Sequence, residues 1–212
     1  MKILFFGDSI TDAFRNRDHQ VYHYYAKLGS GYVNQVASEL LFEDPTKYEV
    51  FNLGISGNRS VDLYARVSRD VWAYEPDVVS ILVGVNDVWH KQSGNGIEIE
   101  RYRQIYKMLI EDTIKNLPNA KIMILEPFIL EGTETITKKD WIFEDVYKYA
   151  SVAKEVANEF NLTFVPLQSV FNEKIKKYDA KYYSVDGVHP TLSGATVIAK
   201  EWIKAFKKDI EK

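Results

Sequence analysis

Short apolar runs alternating with stretches of helical period leave this chain few ways to fold. Residues 2–6, 48–52, 78–83, 121–125 and 162–165 are the strand-like runs, with 78–83 the most apolar and β-branched of them. Between them, apolar side chains recur three and four apart. Val33, Val36, Ala37, Leu40 and Leu41 follow Gly31, and Leu63, Val67 and Val71 mark 61–72. Helical segments are also expected at 98–117 and 141–160, a short piece at 170–175, and a last amphipathic helix carries Ile198, Trp202 and Phe206. Pro45, Pro76 and Pro118 fall just beyond helical stretches, where a helix has to stop. Parallel strands need a crossover, and the crossover packs as a right-handed helix. The order therefore predicts one domain over 1–212, a three-layer α/β/α fold with a central parallel sheet of about five strands.

At 212 residues the chain is long enough to bury roughly 70% of its unfolded surface without a staple. Cysteine is absent, which excludes disulfides, thiolate metal sites and cysteine nucleophiles. A net charge of -3 with both signs interspersed gives no footprint for nucleic acid or an anionic membrane. Lys200, Lys204, Lys207 and Lys208 read as the solvated face of a terminal helix. The opening apolar run is too short for a signal-peptide core, and no window is long enough to span a bilayer, so a cytoplasmic protein is expected.

In open parallel sheets ligands bind outside the carboxyl ends of the strands. Gly7-Asp8-Ser9-Ile10 follows the first strand, Gly54 the second and Gly84-Val85-Asn86-Asp87 the third. Asp186-Gly187-Val188-His189-Pro190 occupies the loop before the last helix. Gly-Asp-Ser alone is ordinary turn chemistry. A serine becomes a nucleophile only beside a base, and His189, with an acid three residues before it, is the best candidate among the four histidines. Asp186 would hold the imidazole in its working tautomer. The backbone N–H groups of Ser9 and Gly54 and the side-chain amide of Asn86 are the candidate oxyanion donors.

These four blocks, in this order and at these separations, resemble those of the GDSL, or SGNH, hydrolases, and the resemblance spans nearly the whole chain. It implies Ser9 as nucleophile, His189 as base oriented by Asp186, an oxyanion hole from Ser9, Gly54 and Asn86, a flavodoxin-like sheet, and no metal or cofactor. The run from Asn52 to Asn58, that from Gly84 to Trp89, and Glu126-Pro127-Phe128 are similar to the branch holding intracellular carbohydrate acetylesterases. That narrower likeness implies a short-acyl ester, acetyl, on an oligosaccharide and a homo-oligomer. Asp8, Trp89 and His90 are the substrate-binding candidates.

Other readings use the same residues. Gly54-Ile55-Ser56-Gly57-Asn58 nearly matches a nucleophile elbow around Ser56, but Asn58 replaces its last glycine. His19 and His23 have zinc-protease spacing, with Gln20 where the glutamate belongs and no third ligand. Tyr22 to Tyr25 suit a subunit contact as well as a substrate wall. Gly29-Ser30-Gly31 lacks the third glycine of a dinucleotide fingerprint and a strand before it. The alternatives in function are a lysophospholipase or thioesterase, and a non-catalytic carbohydrate-binding protein on an esterase fold.

Overall fold

A computed structural model describes residues 1–18 and 24–211. Five strands, β1 (Lys2–Gly7), β2 (Glu49–Asn52), β3 (Val78–Leu82), β4 (Lys121–Leu125) and β5 (Thr163–Val165), pair in the order β2-β1-β3-β4-β5. Every pairing is parallel. This is the flavodoxin-like order, whose direction of winding reverses between β1 and β3. The expected three-layer architecture is thus the one observed.

Helices α1 (Ser9–Asp12), α2 (Tyr32–Glu43), α3 (Ser60–Asp70), α4 (Val85–Trp89), α5 (Ile99–Asn116), α6 (Lys139–Glu159), α7 (Gln168–Ile175) and α8 (Leu192–Asp209) fill the connections. Helix α2 packs on α8, while α3 packs on α5 and α5 on α6. Strand β1 is buried on both faces, which is why it reads as an unbroken apolar run rather than an alternating one. Phe5 meets Tyr32 and Trp202 of the α2/α8 layer, at centroid distances of 5.6 and 5.1 Å. Its neighbour Phe6 carries the Arg66 guanidinium of α3 4.3 Å from its ring centre. Successive residues of one strand therefore anchor opposite layers. Trp202 is fully buried, and its indole N–H donates to the buried Ser80 hydroxyl of β3 at 3.0 Å, so the ring enters the core without an orphaned donor.

Two short helices, α1 and α4, follow the two strands that flank the reversal. The segment 85–89 coils because Gly84 at φ +144° turns the chain out of β3 and into a helix start. The connection after β4 buries Phe128, Ile129 and Leu130. It then runs beside the last loop, with Leu130 N–H donating to Gly187 C=O at 2.9 Å and Thr133 N–H to Val185 C=O at 2.9 Å. Among the described residues no helix is long and apolar enough to cross a membrane.

Candidate active site

The carboxyl end of β1 delivers Asp8 as the N-cap of α1, its carboxylate accepting from Ile10 N–H at 2.9 Å. Ser9 is then the first residue of that helix, so its own N–H has no intrahelical acceptor. Its Oγ lies 2.9 Å from His189 Nε2, and His189 Nδ1 lies 2.6 Å from Asp186 Oδ2. Residues 180 apart in sequence form one relay.

The other oxygen of Asp186 accepts from the N–H groups of Val188 and His189, both at 2.8 Å, and lies 3.1 Å from Ser184 Oγ. Ser184 is buried, receives Gly187 N–H at 2.9 Å, and has His189 C=O 2.9 Å away. The loop is thereby tied before it enters α8 through the Thr191 cap. Although partial burial works the other way, the imidazole and the two backbone donors hold the Asp186 carboxyl well below the usual carboxylate range. The same hydrogen bond raises the His189 pKa above its ordinary 6.5.

Two further acids stand at the start of α1 and within α4. Asp8 is 1% exposed and Asp87 fully buried, and burial pushes each up to about 7. Asp87 receives the N–H of Ser60 at 3.1 Å and its hydroxyl at 2.5 Å, which pins the start of α3 to α4. One oxygen of Asp8 has no hydrogen-bond partner among the described residues.

Of the expected oxyanion donors, Asn86 is the second residue of α4 and uses one amide hydrogen on Asn58 C=O at 3.1 Å. Gly54 N–H donates to Asn52 Oδ1 at 2.9 Å, and Gly54 C=O accepts from Arg15 Nε at 2.8 Å. A Cβ at Gly54 would lie 2.3 Å from Asp12 N, so the glycine lets this loop press against the backbone of α1. Asn52 itself donates to the carbonyls of Thr11 and Leu28, at 2.7 and 2.8 Å. It was missed as a site residue; its signal was a lone amide closing an apolar strand.

Two depressions meet at the relay. The larger, about 670 Å³, is lined by Ser9, Asp12, Phe14, Arg15, Arg17 and Ser56 among others, and reaches Asp186 and His189. The smaller, about 130 Å³, is lined by Val85, Asn86, Trp89, Glu134, Asp186, Val188 and His189. Trp89 is thus placed beside the relay. Asp8 and His90 line neither: Asp8 is buried, and His90 begins a separate helical turn after α4. Ser56 faces the larger depression, but the His189 imidazole bonds to Ser9, and Ser56 N–H is held by Asp12 at 3.0 Å. His19, Tyr22 and His23 lie outside the described residues. Tyr24 caps the edge of β2, receiving Val50 N–H at 2.8 Å.

Residues 5–197 match the model of the GDSL-like lipase/acylhydrolase family. The chain belongs to that family. It is 36% identical to an acetylxylan esterase of Geobacillus stearothermophilus over 210 residues, covering 96% of this chain and 92% of the relative. A crystal structure of a GDSL-like lipase candidate from Parabacteroides merdae superposes with a TM-score of 0.91 at 38% identity, covering 97% of this chain and 95% of the other. The crystal structure of Axe2, an acetylxylan esterase from Geobacillus stearothermophilus, gives a TM-score of 0.85 at 36% identity, covering 96% and 93%. Catalytic mutants of Axe2 replace a serine, an aspartate and a histidine by alanine. This member of the GDSL family carries the same three residue types in its relay.

Proposed function

We propose that the protein is a serine esterase that removes acetyl groups from oligosaccharides through an acyl-enzyme. The observation that carries this reading is the continuous relay from Ser9 through His189 to Asp186 at the sheet reversal. Ser9 Oγ attacks the ester carbonyl carbon as His189 Nε2 takes its proton, and Asp186 stabilises the imidazolium that forms. The negative charge on the carbonyl oxygen is received by Ser9 N–H and the Asn86 amide, with Gly54 N–H shared between that oxygen and Asn52. Collapse breaks the bond to the sugar oxygen, which leaves with the proton from His189. Water then attacks the acetyl-serine, gives its proton to the same nitrogen, and acetate departs as Ser9 recovers its hydrogen.

The small depression beside Asn86 and Trp89 suits a short acyl group, and the larger one carries Arg15, Arg17 and Asp12, groups that can hydrogen-bond a sugar. Likeness to acetylxylan esterases supports the carbohydrate part of the reading. The branch resemblance adds a single functional domain over 1–212, a cytoplasmic location and a homo-oligomer to the same proposal. The test compares acetate release from peracetylated xylo-oligosaccharides with octanoate release from a p-nitrophenyl ester. Fast acetate release with little octanoate, both lost in Ser9→Ala, is expected. A preference for octanoate would move the substrate to lipids or thioesters, and turnover of neither would favour a binding protein.

A further inference from the structure

Ala13 and Phe14 are consecutive non-glycine residues in left-handed backbone, at φ +43° and +61°. L-residues adopt this conformation rarely, and a bulky aromatic more rarely than most. The corner is held by Ala13 N–H to Ser9 C=O at 2.9 Å and Arg15 N–H to Asp12 C=O at 2.9 Å. Ser30 ties it down further, its N–H and hydroxyl both donating to Ala13 C=O at 2.8 and 3.0 Å. Gly31 is pressed against it, since a Cβ there would lie 2.6 Å from that of Ala13.

What this strained corner displays is a phenyl ring in water. Phe14 is 97% exposed, the most exposed of the large apolar residues described, while Arg15 beside it turns inward to Gly54. Packing does not demand the ring, and the backbone disfavours it. It stands on the wall of the larger depression, within the same 670 Å³ as Ser9 and His189. Arg15, Arg17, Ser30 and Ser56 stand on the same wall, beside the apolar Ile10, Pro190 and Ala195. An aromatic face among hydrogen-bonding groups matches a sugar ring, which offers C–H groups on its face and hydroxyls around its edge.

We infer that the larger depression receives the leaving-group sugar and that Phe14 is the platform on which a pyranose ring stacks while its ester lies at Ser9. The inference deepens the esterase reading and rests on it. It also orients the substrate, with the acyl group toward Asn86 and Trp89 and the oligosaccharide across α1 toward Phe14. A second copy of this chain covering Phe14 and the exposed Leu192 is the competing occupant.

The test measures kcat and KM on acetylated xylobiose and on p-nitrophenyl acetate for the wild type, Phe14→Asn and Phe14→Tyr, with the mass of each by light scattering. Asn tolerates left-handed backbone, so that variant removes the ring and keeps the corner. The ratio of kcat/KM for the sugar ester to that for p-nitrophenyl acetate is expected to fall about tenfold in Phe14→Asn, chiefly through KM, and to recover in Phe14→Tyr. An unchanged ratio with an active wild type overturns the platform and leaves the esterase standing. A changed mass in Phe14→Asn overturns it in favour of a subunit contact. A wild type that ignores the sugar ester while cleaving p-nitrophenyl acetate overturns the carbohydrate reading, and the platform with it.

Discussion

Two carboxylates flank the same serine and are driven in opposite directions. Asp186 lies in a partly exposed loop, yet it accepts from two backbone N–H groups and the imidazole, with Ser184 Oγ alongside, and stays ionised. Asp8 sits one residue before Ser9, sealed from water with one backbone hydrogen bond to its side chain, and is pushed up to about 7. Burial and donors compete here. Full burial pushes Asp87 up to about 7 even with the Ser60 N–H and hydroxyl on it, whereas Asp186 is only half-buried and its donors win, so it alone is a partner for an imidazolium.

The comparison breaks most visibly at Asp186. Asp186→Asn should lower kcat by roughly 10³ to 10⁴ by losing the acceptor that fixes the imidazole tautomer. It should also move the acid limb of the pH–rate profile. In the wild type His189 must be deprotonated to act, and its pKa is raised, so activity should rise with pH through a midpoint above 6.5. Without Asp186 the cause of that shift is gone and the midpoint should fall; steady-state rates from acid to neutral pH check both effects. Next in size, Asn86→Ala should reduce kcat by about 10² to 10³ with little change in KM. Gly54→Ala, whose added methyl would meet α1, should instead lose folded protein by thermal melting.

Asp8→Asn sharpens the contrast from the other side. A carboxyl whose folded pKa is raised contributes stability that is present below its unfolded value near 3.8 and is lost as pH rises toward about 7. Asparagine keeps the acceptor for Ile10 N–H and removes the charge. Its Tm should therefore match the wild type near pH 4 and exceed it by several degrees near pH 8, as read by calorimetry. Ser184→Ala should have the smallest effect, a few-fold loss in kcat, because two backbone donors still hold the same oxygen of Asp186.

The sheet was legible because its central strands β1, β3 and β4 are buried on both faces and so stand out as short apolar runs between helical periods. The relay was legible for a related reason: once strand ends are known, polar residues just beyond them collect on one edge. The Asp186–His189 spacing then named the acid and the base. What sequence left hidden depends on contacts far along the chain. That Gly54 serves a close approach to α1 needs the position of Asp12, and the donation of its N–H needs the side-chain orientation of Asn52. Asp8 reads as an available acid until its burial is known. The left-handed corner at Ala13 and Phe14 has no composition signal, since neither residue favours it.

The central claim is that Ser9 becomes acylated with His189 and Asp186 behind it. Mass spectrometry of Asp186→Asn, acid-quenched during turnover of an acetyl ester and digested, tests this most directly. The account predicts an acetyl adduct on the peptide bearing Ser9 and none when Ser9→Ala is added. An adduct on the peptide bearing Ser56, or turnover that persists in Ser9→Ala, would contradict it.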